Sequence, residues 1–138
     1  MSIVLNIPVA TAGTATLVVA DEHTAPRVGS GLIRVLATPV MINLIEAAAL
    51  SACEQLLPAG HQSLGTHLEV SHVAATPVGM RVTATATVSR VEGRHIYFTV
   101  EAHDERDLIG KGTHDRVVVD VKRFDKRVQE KTAALTRT

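Results

Sequence analysis

The sequence predicts an α+β domain in which an antiparallel sheet wraps around one long buried helix. Two observations carry that prediction. From Pro39 to Leu57 nearly every position is apolar or alanine, with Met41, Leu44, Ile45, Ala48, Ala52 and Cys53 along it. A helix apolar almost all round belongs inside a core. Downstream, Val82, Ala84, Ala86 and Val88 alternate with Arg81, Thr83, Thr85 and Thr87. Ile96, Phe98, Val100 and Ala102 alternate in the same way with His95, Tyr97, Thr99 and Glu101. That period of two marks half-buried strands. The 138 residues fit a single domain over residues 1–138, large enough to bury a core.

The elements follow in order. Residues 1–20 carry no charged side chain, yet they lack a positive n-region, and Asn6, Pro8, Thr11, Gly13, Thr14 and Thr16 interrupt them. The stretch therefore lacks the layout of a membrane span or signal peptide. Two short strands, or a strand and a turn around Ala12-Gly13, account for it, with Thr14 to Val19 as a strand. Residues 21–37 read as a flexible loop through Gly29 and Gly31. Thr38-Pro39 reads as an N-cap and first helical residue, and Pro58-Ala59-Gly60 ends the helix. Val91-Glu92-Gly93-Arg94 supplies a turn between the two alternating strands, where Gly93 is free to take positive φ. Val117 to Val121 forms another strand. The charge-rich tail, about 122–138, carries Phe124 and Val128 four apart and reads as a short helix or a partly disordered, solvated end.

Composition narrows the function. With 46% hydrophobic and 20% charged residues the chain is globular, not disordered. Acidic and basic residues balance at 14 each. That balance gives no electrostatic case for nucleic acid or an anionic membrane as principal partner. A lone Cys53 cannot form an internal disulfide, which fits a reducing, cytoplasmic setting, and its place on the apolar helix makes it a buried structural thiol. The seven histidines show neither HxxxH nor HExxH spacing, so no metal site is expected.

A set of short segments points to chemistry. Thr38 precedes Glu46 by eight residues, and His72 follows 26 later in Val70-Ser71-His72-Val73. Between them lies Ser63-Leu64-Gly65-Thr66, and later comes Gly112-Thr113-His114-Asp115-Arg116. In this order the segments resemble the hotdog-fold acyl-CoA thioesterases, most closely the fluoroacetyl-CoA thioesterase branch. The match runs from about Thr38 to the C-terminus; Val91-Glu92-Gly93-Arg94, Ala102-His103-Asp104 and Lys131-Thr132 also fit it. The resemblance implies a hotdog fold and a homodimer joined sheet edge to sheet edge. It implies hydrolysis of a small or medium acyl thioester to free acid and coenzyme A, with the thioester as substrate and no cofactor.

Each candidate residue has a plain reading and a functional one. Glu46 borders a polar arc with Asn43, Ser51, Glu54 and Gln55; it is a helix-surface acid or a partly desolvated general base. Helix capping alone accounts for Thr38, whereas the resemblance implies that its hydroxyl attacks the thioester or orients the acyl carbonyl. A lone His72 on a strand is commonly a hydrogen-bonded structural residue. By resemblance it exchanges a proton with Thr38 or the leaving thiolate. Gly65 is a turn glycine before a strand, or the backbone donor to the thioester oxygen. Arg116 meets an acyl carboxylate or a coenzyme A phosphate, or forms an ion pair with Glu46 or Asp115. The resemblance stops at the selectivity element, where the branch carries an aromatic lid ahead of the catalytic Thr. Here Val28 to Leu36 holds no aromatic residue, and Leu32, Ile33 and Leu36 make an aliphatic gate suited to an ordinary acyl chain. Two alternatives stand beside the thioesterase. A hotdog dehydratase or hydratase usually bears a helix His or Asp in place of the Thr-Glu pair, and a non-catalytic acyl-CoA binding domain needs no such machinery.

Overall fold

The computed structural model describes residues 3–135; the last three residues of the expected charged tail lie outside them. β1 is Ala12–Val18, followed by a 3-10 turn at Asp21–His23 and the short helix α1 at Ala25–Val28. The long helix α2 is Thr38–Cys53, continued by a 3-10 turn at Glu54–Leu56. Strands β2 (His61–His72), β3 (Arg81–Glu92), β4 (His95–His103) and β5 (Leu108–Asp120) follow, and α3 (Val121–Ala134) closes the described chain. The five strands form one antiparallel sheet in the order β1-β3-β4-β5-β2, which leaves β1 and β2 at its edges.

The sheet curls over α2, as expected. The inward positions of β3 and β4 are the alternating apolar residues, from Val82 to Val88 and from Ile96 to Ala102, all buried. They meet Met41, Leu44, Ile45, Ala48, Ala49, Ala52 and Cys53 of the helix. Gly13 lets β1 lie directly on α2, because a Cβ there would collide with the Ser51 hydroxyl and the Ala48 carbonyl. Burial pushes the Cys53 thiol pKa up, which fits an inert core thiol.

Four local readings need correction. The turn near the N-terminus falls at Ala10, held at positive φ, and not at Ala12-Gly13, which already belong to β1. Residues 21–37 are folded and not a plain loop: α1 lies within them, Ala25 N–H donates to Val35 O at 3.0 Å, and Leu36 N–H donates to Thr76 O at 2.9 Å. Thr38 is not the N-cap of α2. Ala37 holds that position, Thr38 and Pro39 are the first helical residues, and no side chain caps the end. Finally, β5 begins at Leu108 and runs to Asp120, so the segment from Val117 is only its last third. Glycines at positions 110 and 112 masked its alternation in sequence.

One irregularity decides which β2 residues face inward. The register with β5 shifts between Gly65 and His67. Ser63 on one side of this bulge is buried, and Leu68, Val70 and His72 on the other are half-buried. Residues 63 and 72 differ in parity, so a regular strand would turn one of them outward; the extra residue of a bulge lets both face the helix. Gly65 therefore sits within a strand, at its bulge, and not in a preceding turn.

Candidate active site

At the N-terminal end of α2, the Thr38 hydroxyl lies 2.7 Å from Nδ1 of His72 at the end of β2. Freed from capping, the hydroxyl takes the imidazole as its partner. Burial pushes the His72 pKa below its ordinary value, with the nearby Ala74 backbone offsetting part of the effect. The neutral ring this favours can accept the Thr38 proton at Nδ1. Its Nε2 is buried and has no partner at hydrogen-bonding geometry among the described residues. Both side chains open into a pocket of about 390 Å³ lined by Leu32, Ile33, Val35 and Leu36 with Val73 and Ala74. No aromatic residue lines it. Of the expected gate, all three residues line the pocket, Leu32 and Ile33 at 94% and 74% exposure and Leu36 buried at 2%.

Glu46 lies two helical turns further along α2, about 12 Å of helix rise from Thr38. There it meets a different group. Its Oε2 lies 3.4 Å from Arg116 Nη1, and a Cβ on Gly65 would sit 2.5 Å from the same oxygen. At Gly65, β2 therefore passes close over the carboxylate. Arg116 is only 4% exposed. Its Nε–H donates to Ser63 Oγ at 2.8 Å, Nη2 donates to Ser63 O at 3.1 Å, and Nη1 donates to His114 Nε2 at 3.1 Å. Ser63 is held in turn by Glu54, which accepts its N–H at 2.7 Å and its hydroxyl at 2.9 Å.

The expected site residues therefore fall into two groups within one chain, Thr38 with His72 and Glu46 with Gly65 and Arg116. Of the two readings of Arg116, its geometry is that of the ion pair with Glu46. A guanidinium so enclosed does not face a coenzyme A phosphate, and Asp115 is not its partner. Ser63 and Glu54 were not legible as site residues; strand phase was the available signal. Val118 is in the core, so Arg116 and His114 on the same parity face inward, and inward polar residues on a strand need partners. Among the described residues no cluster of three His, Cys, Asp or Glu side chains could hold a metal. No helix among them is long and apolar enough to cross a membrane.

A long helix wrapped by a five-stranded antiparallel sheet, with a hydroxyl-imidazole pair at its mouth, defines a hotdog-fold protein of the thioesterase superfamily. The sequence is more specific: residues 19–122 match the fluoroacetyl-CoA-specific thioesterase family, FlK, and the chain belongs to it. It is 46% identical over 100 residues to the fluoroacetyl-CoA thioesterase of Streptantibioticus cattleyicolor, covering 72% of each chain. A solved FlK structure superposes with a TM-score of 0.86 at 37% identity, covering 91% of this chain and 98% of that one. A Thermus thermophilus hypothetical protein of the thioesterase superfamily superposes with a TM-score of 0.84 at 30% identity, covering 93% and 97%.

Proposed function

We propose that this protein is an acyl-CoA thioesterase that hydrolyses a small or medium acyl thioester to the free acid and coenzyme A. The observation that carries this reading is the Thr38 hydroxyl, 2.7 Å from a half-buried His72 in an aliphatic pocket. Neutral His72 takes the Thr38 proton as that oxygen adds to the thioester carbonyl, or as Thr38 orients the water that does so. Charge moving onto the carbonyl oxygen is met by the Gly65 N–H. The carbon–sulfur bond then breaks, and the thiolate takes the proton held by His72 and leaves as coenzyme A. Where Thr38 is the nucleophile, water deprotonated by Glu46 then cleaves the Thr38 ester, releasing the free acid and returning the proton to the Thr38 oxygen. Because a thiolate is a good leaving group, the task is mainly to orient the nucleophile and stabilise the oxyanion. A solved FlK variant in complex with fluoroacetate and CoA supports a coenzyme A ester as the substrate class.

The same reading includes a homodimer in a cytoplasmic setting. β2 is an edge strand whose residues 64–67 are exposed, and edge strands invite pairing with a second copy. Antiparallel pairing of β2 with its copy, in a register centred between Leu68 and Glu69, sets the His72 end of one chain against the Gly65 region of the other. Each complete site then takes Thr38 and His72 from one chain and Glu46 and Gly65 from its partner. One loose end supports this arrangement: Glu46 makes no hydrogen bond beyond Arg116 among the described residues. In that site Glu46 is the base for the attacking water. Arg116 holds Glu46 in place and does not touch the substrate.

Acetyl-CoA with a thiol-trapping dye tests the activity. Thiol release should scale with enzyme over many turnovers and be lost in Thr38→Ala. Stoichiometric binding without release would contradict hydrolysis and leave the binding domain as the remaining function.

A further inference from the structure

The network beneath Gly65 contains a residue that the chemistry above does not use. His114 is fully buried on β5, stacked on Phe98 with ring centroids 6.0 Å apart. Its Nδ1 lies 2.9 Å from His67 O, and its Nε2 lies 3.1 Å from Arg116 Nη1. A carbonyl and a guanidinium leave only one arrangement of protons. Nδ1–H donates to the carbonyl, and the Nε2 lone pair accepts from Arg116, so the ring is neutral. Protonation would set a second buried cation against the guanidinium and destroy the acceptor. Burial, the first cause acting on its pKa, pushes it down, and Arg116 pushes the same way; the His67 carbonyl, Glu46 and Asp115 oppose them.

The consequence concerns Arg116. Ser63 takes its Nε and Nη2 edges, and His114 takes one direction of Nη1. The remaining Nη1 hydrogen is directed at Glu46 Oε2, 3.4 Å away. We propose that His114 is a positioning residue: as a fixed neutral acceptor it orients the Arg116 guanidinium, which in turn sets the Glu46 carboxylate for catalysis. The proposal rests on Glu46 acting in the reaction, as in the function proposed above.

Two substitutions separate the two bonds of the ring. In His114→Gln the side-chain oxygen reaches the Nε2 position and keeps an acceptor for Arg116, giving up the donor to His67 O. In His114→Asn the amide replaces Nδ1–H and keeps that donor, giving up the acceptor. If His114 works through Arg116, kcat for acetyl-CoA falls about tenfold further in His114→Asn than in His114→Gln, with KM little changed. The difference should vanish in a Glu46→Gln background, because the carboxylate being positioned is gone. Equal kcat losses in the two variants, or a difference that persists with Glu46→Gln, would overturn the proposal and reduce His114 to packing. Glu46→Gln at wild-type activity would instead refute the role of Glu46 itself. Melting temperatures measured on the same samples separate loss of fold from loss of positioning.

Discussion

Thr38 shows how the same residue type at a helix start serves two ends. The sequence favoured a cap, but the cap position falls one residue earlier, and the hydroxyl turns to His72 instead. Thr38→Ser should therefore keep much of the activity and Thr38→Ala lose it. Because no cap is lost, Thr38→Ala should cost less than the roughly 1 kcal/mol of a removed N-cap. Rates and thermal denaturation on the two variants check both statements. Glu46→Gln and His72→Ala are each expected to cut turnover at least about a hundredfold, the scale of a general acid or base. His95→Ala is the control, since that side chain is exposed and only stacks on Tyr97. An equal loss in the control would remove the assignment of His72. His23 makes a poorer control, because its Nδ1 accepts the Ala20 N–H at 2.9 Å. Thr38, Glu46 and His72 could be singled out as candidates because their order and spacing carry the resemblance. Ser63 was not, because its inward direction depends on a bulge that no single residue announces.

At the level of elements, α2 and the β3–β4 hairpin were read nearly to their ends, since their burial follows uninterrupted apolar periods. Residues 21–37 were misread because their order comes from backbone bonds to Val35 and Thr76, which leave no hydrophobic period behind. That segment carries the gate. Asp21 ties it at its outer edge, 3.2 Å from Arg27 and 3.3 Å from Arg34, though exposed pairs of this kind contribute little. Leu32 and Ile33 present only aliphatic surface to the pocket, so nothing there grips a fluorinated group in preference to a methyl. Comparable kcat/KM values are expected for fluoroacetyl-, acetyl- and butyryl-CoA once intrinsic reactivity is allowed for. A large excess for the fluorinated ester in steady-state kinetics would show that the absent aromatic lid is not what selects it.

The whole molecule carries two desolvated neutral imidazoles, the half-buried His72 and the fully buried His114, whose pKa values are both pushed down by folding. The unfolded chain then binds protons first, so stability is full above the ordinary His value of 6.5 and falls as pH drops below it. Thermal midpoints measured between about pH 8 and pH 5.5 should decline on the acid side, and His72→Ala should flatten the slope. An unchanged slope would mean that the imidazole is not buried neutral. The proposed site also requires a dimer, observable by light scattering at micromolar concentration, and it requires residues from both chains. Mixing two inactive variants, Glu46→Gln and His72→Ala, tests that requirement most directly. After unfolding and refolding together, half the dimers are mixed and one of their two sites is intact. Activity on acetyl-CoA should then recover to about a quarter of the wild-type value. Mixed dimers proven by mass spectrometry yet as inactive as either parent would contradict a thioesterase site shared between two chains.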